Sequence, residues 1–150
     1  MSNNTNKKGM SMFTIDQIKA AHSKVKSGAD FPAYIQDLKK LGVASYEAFV
    51  EDGHTEYFGA NEFKITSPAN YEVLKISDSS NAAQFISDLK AHQSGKTDYP
   101  TFCNDAAKSG IEKWAVDTEK MTCIYFDKLD NEILIEVIPH LILLASDSVL

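Results

Sequence analysis

The chain contains no arginine: all fifteen of its basic residues are lysines. Arginine supplies the planar donor fork used for phosphates, carboxylates and guanine edges. With a net charge of −6 as well, the composition argues against a nucleic-acid reader. Cysteine is scarce. Cys103 and Cys123 are the only two, and no CxxC pair occurs, which excludes a disulfide framework and gives no sequence signal for structural zinc. The N-terminal MSNNTNKKGMSMF lacks an apolar leader core, so a reduced, cytoplasmic setting is expected. No apolar run is long enough for a membrane span. The strongest, EILIEVIPHLILLA at 132–145, is broken by Glu136 and Pro139 and predicts a buried strand followed by a second apolar segment. Its sharper alternative is an edge that pairs with another chain. Nor is there a phosphate loop. Gly95-Lys96-Thr97 has the ending of one, but Lys90 stands where the first glycine is required.

What remains is a chain of 150 residues, 43% hydrophobic and 24% charged, the profile of one soluble globular domain. Within it one phrase occurs twice, DFPAYIQDLKKLG at 30–42 and DYPTFCNDAAKSG at 98–110. A shift of 68 residues lays Asp30 on Asp98, Pro32 on Pro100, Asp37 on Asp105, Lys40 on Lys108 and Gly42 on Gly110. It also lays Tyr34 on Phe102, Tyr46 on Trp114, Tyr57 on Tyr125 and Phe58 on Phe126. With two residues added at the next turn, NEFKI at 61–65 meets NEILI at 131–135. The sustained register reads as an internal duplication.

Both halves parse alike. Thr14 and Gln17 have capping-box spacing before a helix carrying Ile15, Ile18 and Val25 inward and ending at Gly28. Asp30 is expected to cap a second helix with Phe31, Tyr34, Ile35, Leu38 and Leu41 on one face and Gly42 as its stop. Strands are predicted near 43–51, 54–58 and 62–66, the first two joined by the hairpin signal Asp52-Gly53. In the second half Ser80 or Asn81 opens a helix carrying Phe85 and Leu89, and Asp98 opens the next. Strands are expected near 111–117, 121–127 and 132–138, with one more at 71–77 leading between the halves. The predicted fold class is α+β: two helix–helix–three-strand units, residues 14–66 and 81–138, about a pseudo-twofold axis, with helices packed on an antiparallel sheet. Residues 1–11 and 141–150 are read as tails around a single domain at 12–140.

The phrases SGADFPAYIQDLKKLGV, VEDGHTEYFG, GKTDYPTFCNDAAKSGIEKW and NEILIEVIP resemble the YdfO-like family of small bacterial proteins, some of which carry the label phage envelope protein. The resemblance runs from about residue 12 to about 139 and implies a cytoplasmic bacterial protein of prophage association with an α+β fold. It implies no enzyme activity that can be named, and no catalytic residues carry over from it. The ending HLILLASDSVL departs from it.

Candidates for chemistry are few. Cys103 aligns with Ile35 of the core face, which favours a buried apolar thiol over a nucleophile. Cys123 falls in a strand, and no histidine is near either cysteine in sequence. Glu51, Asp52, His54 and Glu56 gather around one turn, a pattern suited to a specific contact or a metal, although strand alternation does not by itself bring them together. Glu119, Lys120 and Thr122 stand there in the second half, so this charge is not part of the repeated scaffold. The aligned aromatics Tyr46, Trp114, Tyr57 and Tyr125 are candidates for lining a cleft between the halves. Leu38 and Leu41 become Ala106 and Ser109 in the second copy, so that helix either packs more closely or leaves space beside it. His22, His92 and His140 have no metal-ligand spacing and are expected at or near the surface. Three functions compete: a protein-binding or adaptor module, which ranks first; a small-ligand module with an inter-repeat cleft; and an enzyme using Cys103 or His54. No cofactor, metal, nucleic acid or membrane span is expected. A protein partner is open, as is the choice between monomer and homodimer.

Overall fold

The structure is a computed structural model and describes residues 12–26 and 28–139. The two tails, His140 and most of the second apolar segment lie outside those residues. Four helices, α1 (Ile15–His22), α2 (Phe31–Leu41), α3 (Ala82–Gln93) and α4 (Tyr99–Lys108), accompany six strands, β1 (Ser45–Phe49), β2 (Thr55–Phe58), β3 (Lys64–Thr66), β4 (Ile111–Asp117), β5 (Thr122–Asp127) and β6 (Glu132–Val137). The strands form one antiparallel sheet in the order β3-β2-β1-β4-β5-β6. The fold class is therefore α+β. Strands from both predicted halves share the sheet, joined where β1 pairs with β4.

Local signals explain most helix boundaries. At α1 the Thr14 hydroxyl accepts from the Gln17 N–H at 3.1 Å while the Gln17 side chain accepts from the Thr14 N–H at 2.9 Å, a reciprocal capping box. Asn81 caps α3 through the Gln84 N–H at 3.1 Å, and Asp98 caps α4 through the Thr101 N–H at 2.9 Å. Asp30 behaves otherwise. Its backbone is already in the right-handed helical region, and its carboxylate accepts from the Lys26 N–H at 2.8 Å without capping α2. α1 also stops earlier than Gly28, at His22. Val25 lies past its end and is only partly buried.

One face of the sheet packs against all four helices. Tyr46, Trp114, Val116, Cys123 and Tyr125 from alternate strand positions join Ile18, Ile35, Leu38, Phe85, Leu89 and Phe102 in a single core. Period-two alternation places Glu47, Phe49, Lys113 and Phe126 on the opposite face, which carries half-buried residues. Ala106 is fully buried and Ser109 is 2% exposed. The thinner α4 is therefore filled at Ala106, while a cavity of about 260 Å³ lies between Asp105, Lys108 and Ser109 at the end of α4 and Asn81, Gln84 and Asp88.

Three expectations need correction. Residues 71–77 form no strand. The Leu74 N–H donates to the Glu51 carbonyl and the Ser77 N–H to that of Ala107, so this backbone spends these bonds on a turn and a helix end instead of a ladder. β6 is not a buried strand. It is the sheet edge beyond β5, with Ile135 and Val137 exposed, because the side chains of an edge strand's outer face meet no helix. Finally, Ile65 pairs with Tyr57 and Leu134 with Tyr125. The residue opposite Tyr125 is thus Leu134 and not Ile135, with an irregularity between Tyr125 and Phe126.

Candidate functional site

The hairpin after β1 turns at Gly53, whose φ is +78° and whose missing Cβ leaves room for the Tyr71 ring. An added Cβ would sit 2.6 Å from that ring. The turn folds Asp52 back toward β2. Its carboxylate accepts from the His54 N–H at 3.0 Å and from His54 Nδ1 at 2.5 Å. An ionised carboxylate only accepts, so Nδ1 carries the proton and the tautomer is set. His54 Nε2 then lies 3.7 Å from Glu56, which also meets Lys64 at 3.5 Å. The imidazole stacks flat on Phe49, centroids 4.4 Å apart. The hydrogen bonds from His54 hold the Asp52 carboxyl below its usual pKa.

Asp52, His54 and Glu56 therefore do converge, because residues 54 and 56 share a strand face and the turn adds residue 52. Glu51 stays exposed outside the group. Among the described residues no set of three or more His, Cys, Asp or Glu has an arrangement that could hold a metal ion. The cluster sits on the sheet face away from the helices, with the Asp52 carboxylate engaged by His54 and the Glu56 carboxylate by Lys64.

A larger feature lies on the helix side. A cavity of about 700 Å³ opens between the ends of the helices and the sheet. Tyr46, Ala48, Thr55, Tyr57 and Trp114 form its floor, with Tyr34 and His22 on one side and His92 and Tyr99 on the other. Tyr46 and Tyr57 stand side by side, centroids 5.6 Å apart. His22 meets the Tyr34 ring edge-on at 5.2 Å. His92 stacks on Phe102 at 4.5 Å, and its Nδ1 lies 3.0 Å from the Thr97 carbonyl. That carbonyl can only accept, so Nδ1–H donates and Nε2 is left for other partners. Burial raises the pKa of Tyr34, Tyr46 and Tyr57, so these phenols stay protonated as hydrogen-bond donors.

Three of the four aromatics singled out in sequence, Tyr46, Tyr57 and Trp114, border this cavity. Tyr125 does not. It is fully buried under Phe85 and Trp114 with its hydroxyl donating to Glu136 at 3.0 Å. The difference follows from helix length. α3 has 12 residues and α1 has 8, so cover is missing just past His22, where Ser23 and Val25 line the opening. Sequence reasoning missed Tyr34, which reads as ordinary core, and Tyr99, half-exposed at the start of α4. The usable signal for both was position: each lies in the first turns of a helix that follows a predicted inter-helix gap.

Cys103 is 1% exposed and Cys123 fully buried. Burial pushes both thiols up, away from the thiolate a nucleophile needs.

A family model described as a protein of unknown function (DUF1398) matches residues 19–137, from within α1 to the end of β6. No curated protein matches the chain. No helix among the described residues is long and apolar enough to cross a membrane.

Proposed function

The chain belongs to the DUF1398 family of proteins of unknown function, and from that premise we propose that it is a small-ligand binding module whose site is the cleft between two duplicated halves. The observation that carries this reading is the cavity of about 700 Å³ with aromatic side chains from both halves on its walls. Ligand sites are typically about 300–1,000 Å³, mostly apolar with a few polar groups, and favour such junctions.

The duplication itself draws support from the register. The strand order reads the same from either edge once numbered within each half. Ser45 faces Phe58 as Lys113 faces Phe126, and Ala48 faces Thr55 as Val116 faces Cys123, each pair 68 residues on. Where the halves meet, Glu47 pairs with its own aligned residue, Ala115, and Tyr46–Val116 and Ala48–Trp114 flank it symmetrically. That is the pairing expected around a twofold axis. The resemblance to YdfO-like proteins adds the setting, a cytoplasmic bacterial protein of prophage type.

The adaptor role favoured from sequence draws on two features. The apolar run 141–150 lies outside the described residues, and two of the three hairpin carboxylates, Asp52 and Glu56, are already engaged by His54 and Lys64. An enzyme built on Cys103 requires a thiol that burial keeps protonated. The cleft therefore leads.

The test is a thermal-shift screen across nucleotides, sugars, amino acids and organic acids, with Trp114 emission followed in parallel. A ligand at about a hundred times its dissociation constant adds about 2.7 kcal/mol, or about 5–11 °C for a chain of this size. Trp114 is the only tryptophan, so a true cleft ligand also changes its emission. Stabilisation with unchanged Trp114 emission, or no stabilisation across the panel, counts against the cleft.

A further inference from the structure

Resting on the cleft reading, we infer that the ligand is a flat ring carrying an anionic group. Shape comes first. The floor is Tyr46, Tyr57 and Trp114, and the sides add Tyr34 and Tyr99. Walls made of rings accept planar molecules through offset face and edge contacts, and give flexible aliphatic chains no such geometry.

Charge decides the rest. The chain has 21 carboxylates, yet none lines the cavity, whose ionisable cationic or basic side chains are Lys19, His22 and His92. Lys19 lines the cavity and has no carboxylate partner among the described residues. An ammonium ligand would leave water for a site with no counter-charge, which is costly. An anion meets the Lys19 ammonium and a set of protonated phenols, which donate to acceptors. His92 gives its Nδ1–H to the Thr97 carbonyl, so its neutral ring offers an acceptor at Nε2 and the reception of an anion rests on Lys19 and the phenols.

Four probes of similar size separate the elements: naphthylacetate as ring and anion, naphthylmethylamine as ring and cation, naphthylethanol as ring alone, and octanoate as anion alone. The readout is the single tryptophan indole N–H resonance in a ¹H–¹⁵N spectrum, which needs no assignment because only Trp114 produces it. Naphthylacetate is expected to shift that resonance saturably and to bind about tenfold more tightly than the amine. Lys19→Met, at an exposed helix position, should bring the acid down to the level of the alcohol. Equal binding of amine and acid overturns the anionic class and leaves the cleft reading standing. Octanoate binding as well as naphthylacetate overturns the ring requirement and again leaves the cleft. If none of the four moves the Trp114 resonance, both the class and the cleft fall.

Discussion

Adding volume at two alanines should have opposite consequences. Ala106 on α4 is fully buried, Ala107 beside it is 3% exposed, and Ser109 is 2% exposed. The helix end lies so close to the inter-half segment that a Cβ on Gly110 would come within 2.7 Å of the Ser79 carbonyl. Ala106→Leu adds three carbons where the aligned residue of the first half is already Leu38. If the thinner helix had left space, burying those carbons would stabilise by about 2 kcal/mol, at about 0.8 kcal/mol each. Close packing predicts the other sign, a loss of about 1–3 kcal/mol from forced rotamers and backbone shifts. Ala48→Leu adds the same carbons at the cavity floor and should cost nothing or stabilise slightly. Leu38→Ala sets the scale, with an expected loss of about 2–5 kcal/mol at a fully buried site. Urea melts followed by Trp114 emission and far-UV circular dichroism measure all three, with coincident curves licensing two-state values. Each kcal/mol corresponds to about 2–4 °C of Tm. A stabilised Ala106→Leu, or an Ala48→Leu as damaged as Ala106→Leu, refutes this account of where the molecule is full and where it is open.

Two further outcomes follow from burial. Cys103 and Cys123, at 1% and 0% exposure, should resist a thiol reagent in the native protein and react at the unfolding rate, both becoming reactive in strong denaturant; one fast native thiol would restore Cys103 as a candidate nucleophile. Tyr34, Tyr46 and Tyr57 have raised folded-state pKa values because burial disfavours the phenolate. Since their unfolded pKa is about 10, the stability they contribute is fully present below that pH and is lost as pH rises beyond it. In an alkaline titration, part of the tyrosinate absorbance of the six tyrosines should appear only together with loss of the circular dichroism signal. Complete titration near pH 10 with the fold intact contradicts the burial.

Helix starts were legible because they are local. Thr14, Asn81 and Asp98 each satisfy a backbone donor within three residues, and nothing distant needs to be known. Asp30 has the same residue type and spacing yet does not cap, because the 3-10 turn at Gly28–Asp30 has already wound its backbone. The hairpin cluster shows the same limit. Spacing gives the shared face of His54 and Glu56, but the turn geometry at Gly53 brings in Asp52.

Since periodicity and capping act within a few residues, the sequence by itself determined the α+β class, the four helices with their core faces, and the places of the six strands, though it added a seventh at 71–77 that does not form. Its doubled phrase also aligned Tyr46 with Trp114 and Tyr57 with Tyr125. Only the tertiary structure decided that both halves share one sheet through β1 and β4, that residues 71–77 cross without pairing, and that Tyr57 borders a cavity while its aligned Tyr125 is sealed. The physical reason is that a cavity is set by the helices that fail to cover a surface. Here that is the early end of α1 at His22 against the longer α3, a difference of packing between elements far apart in the chain.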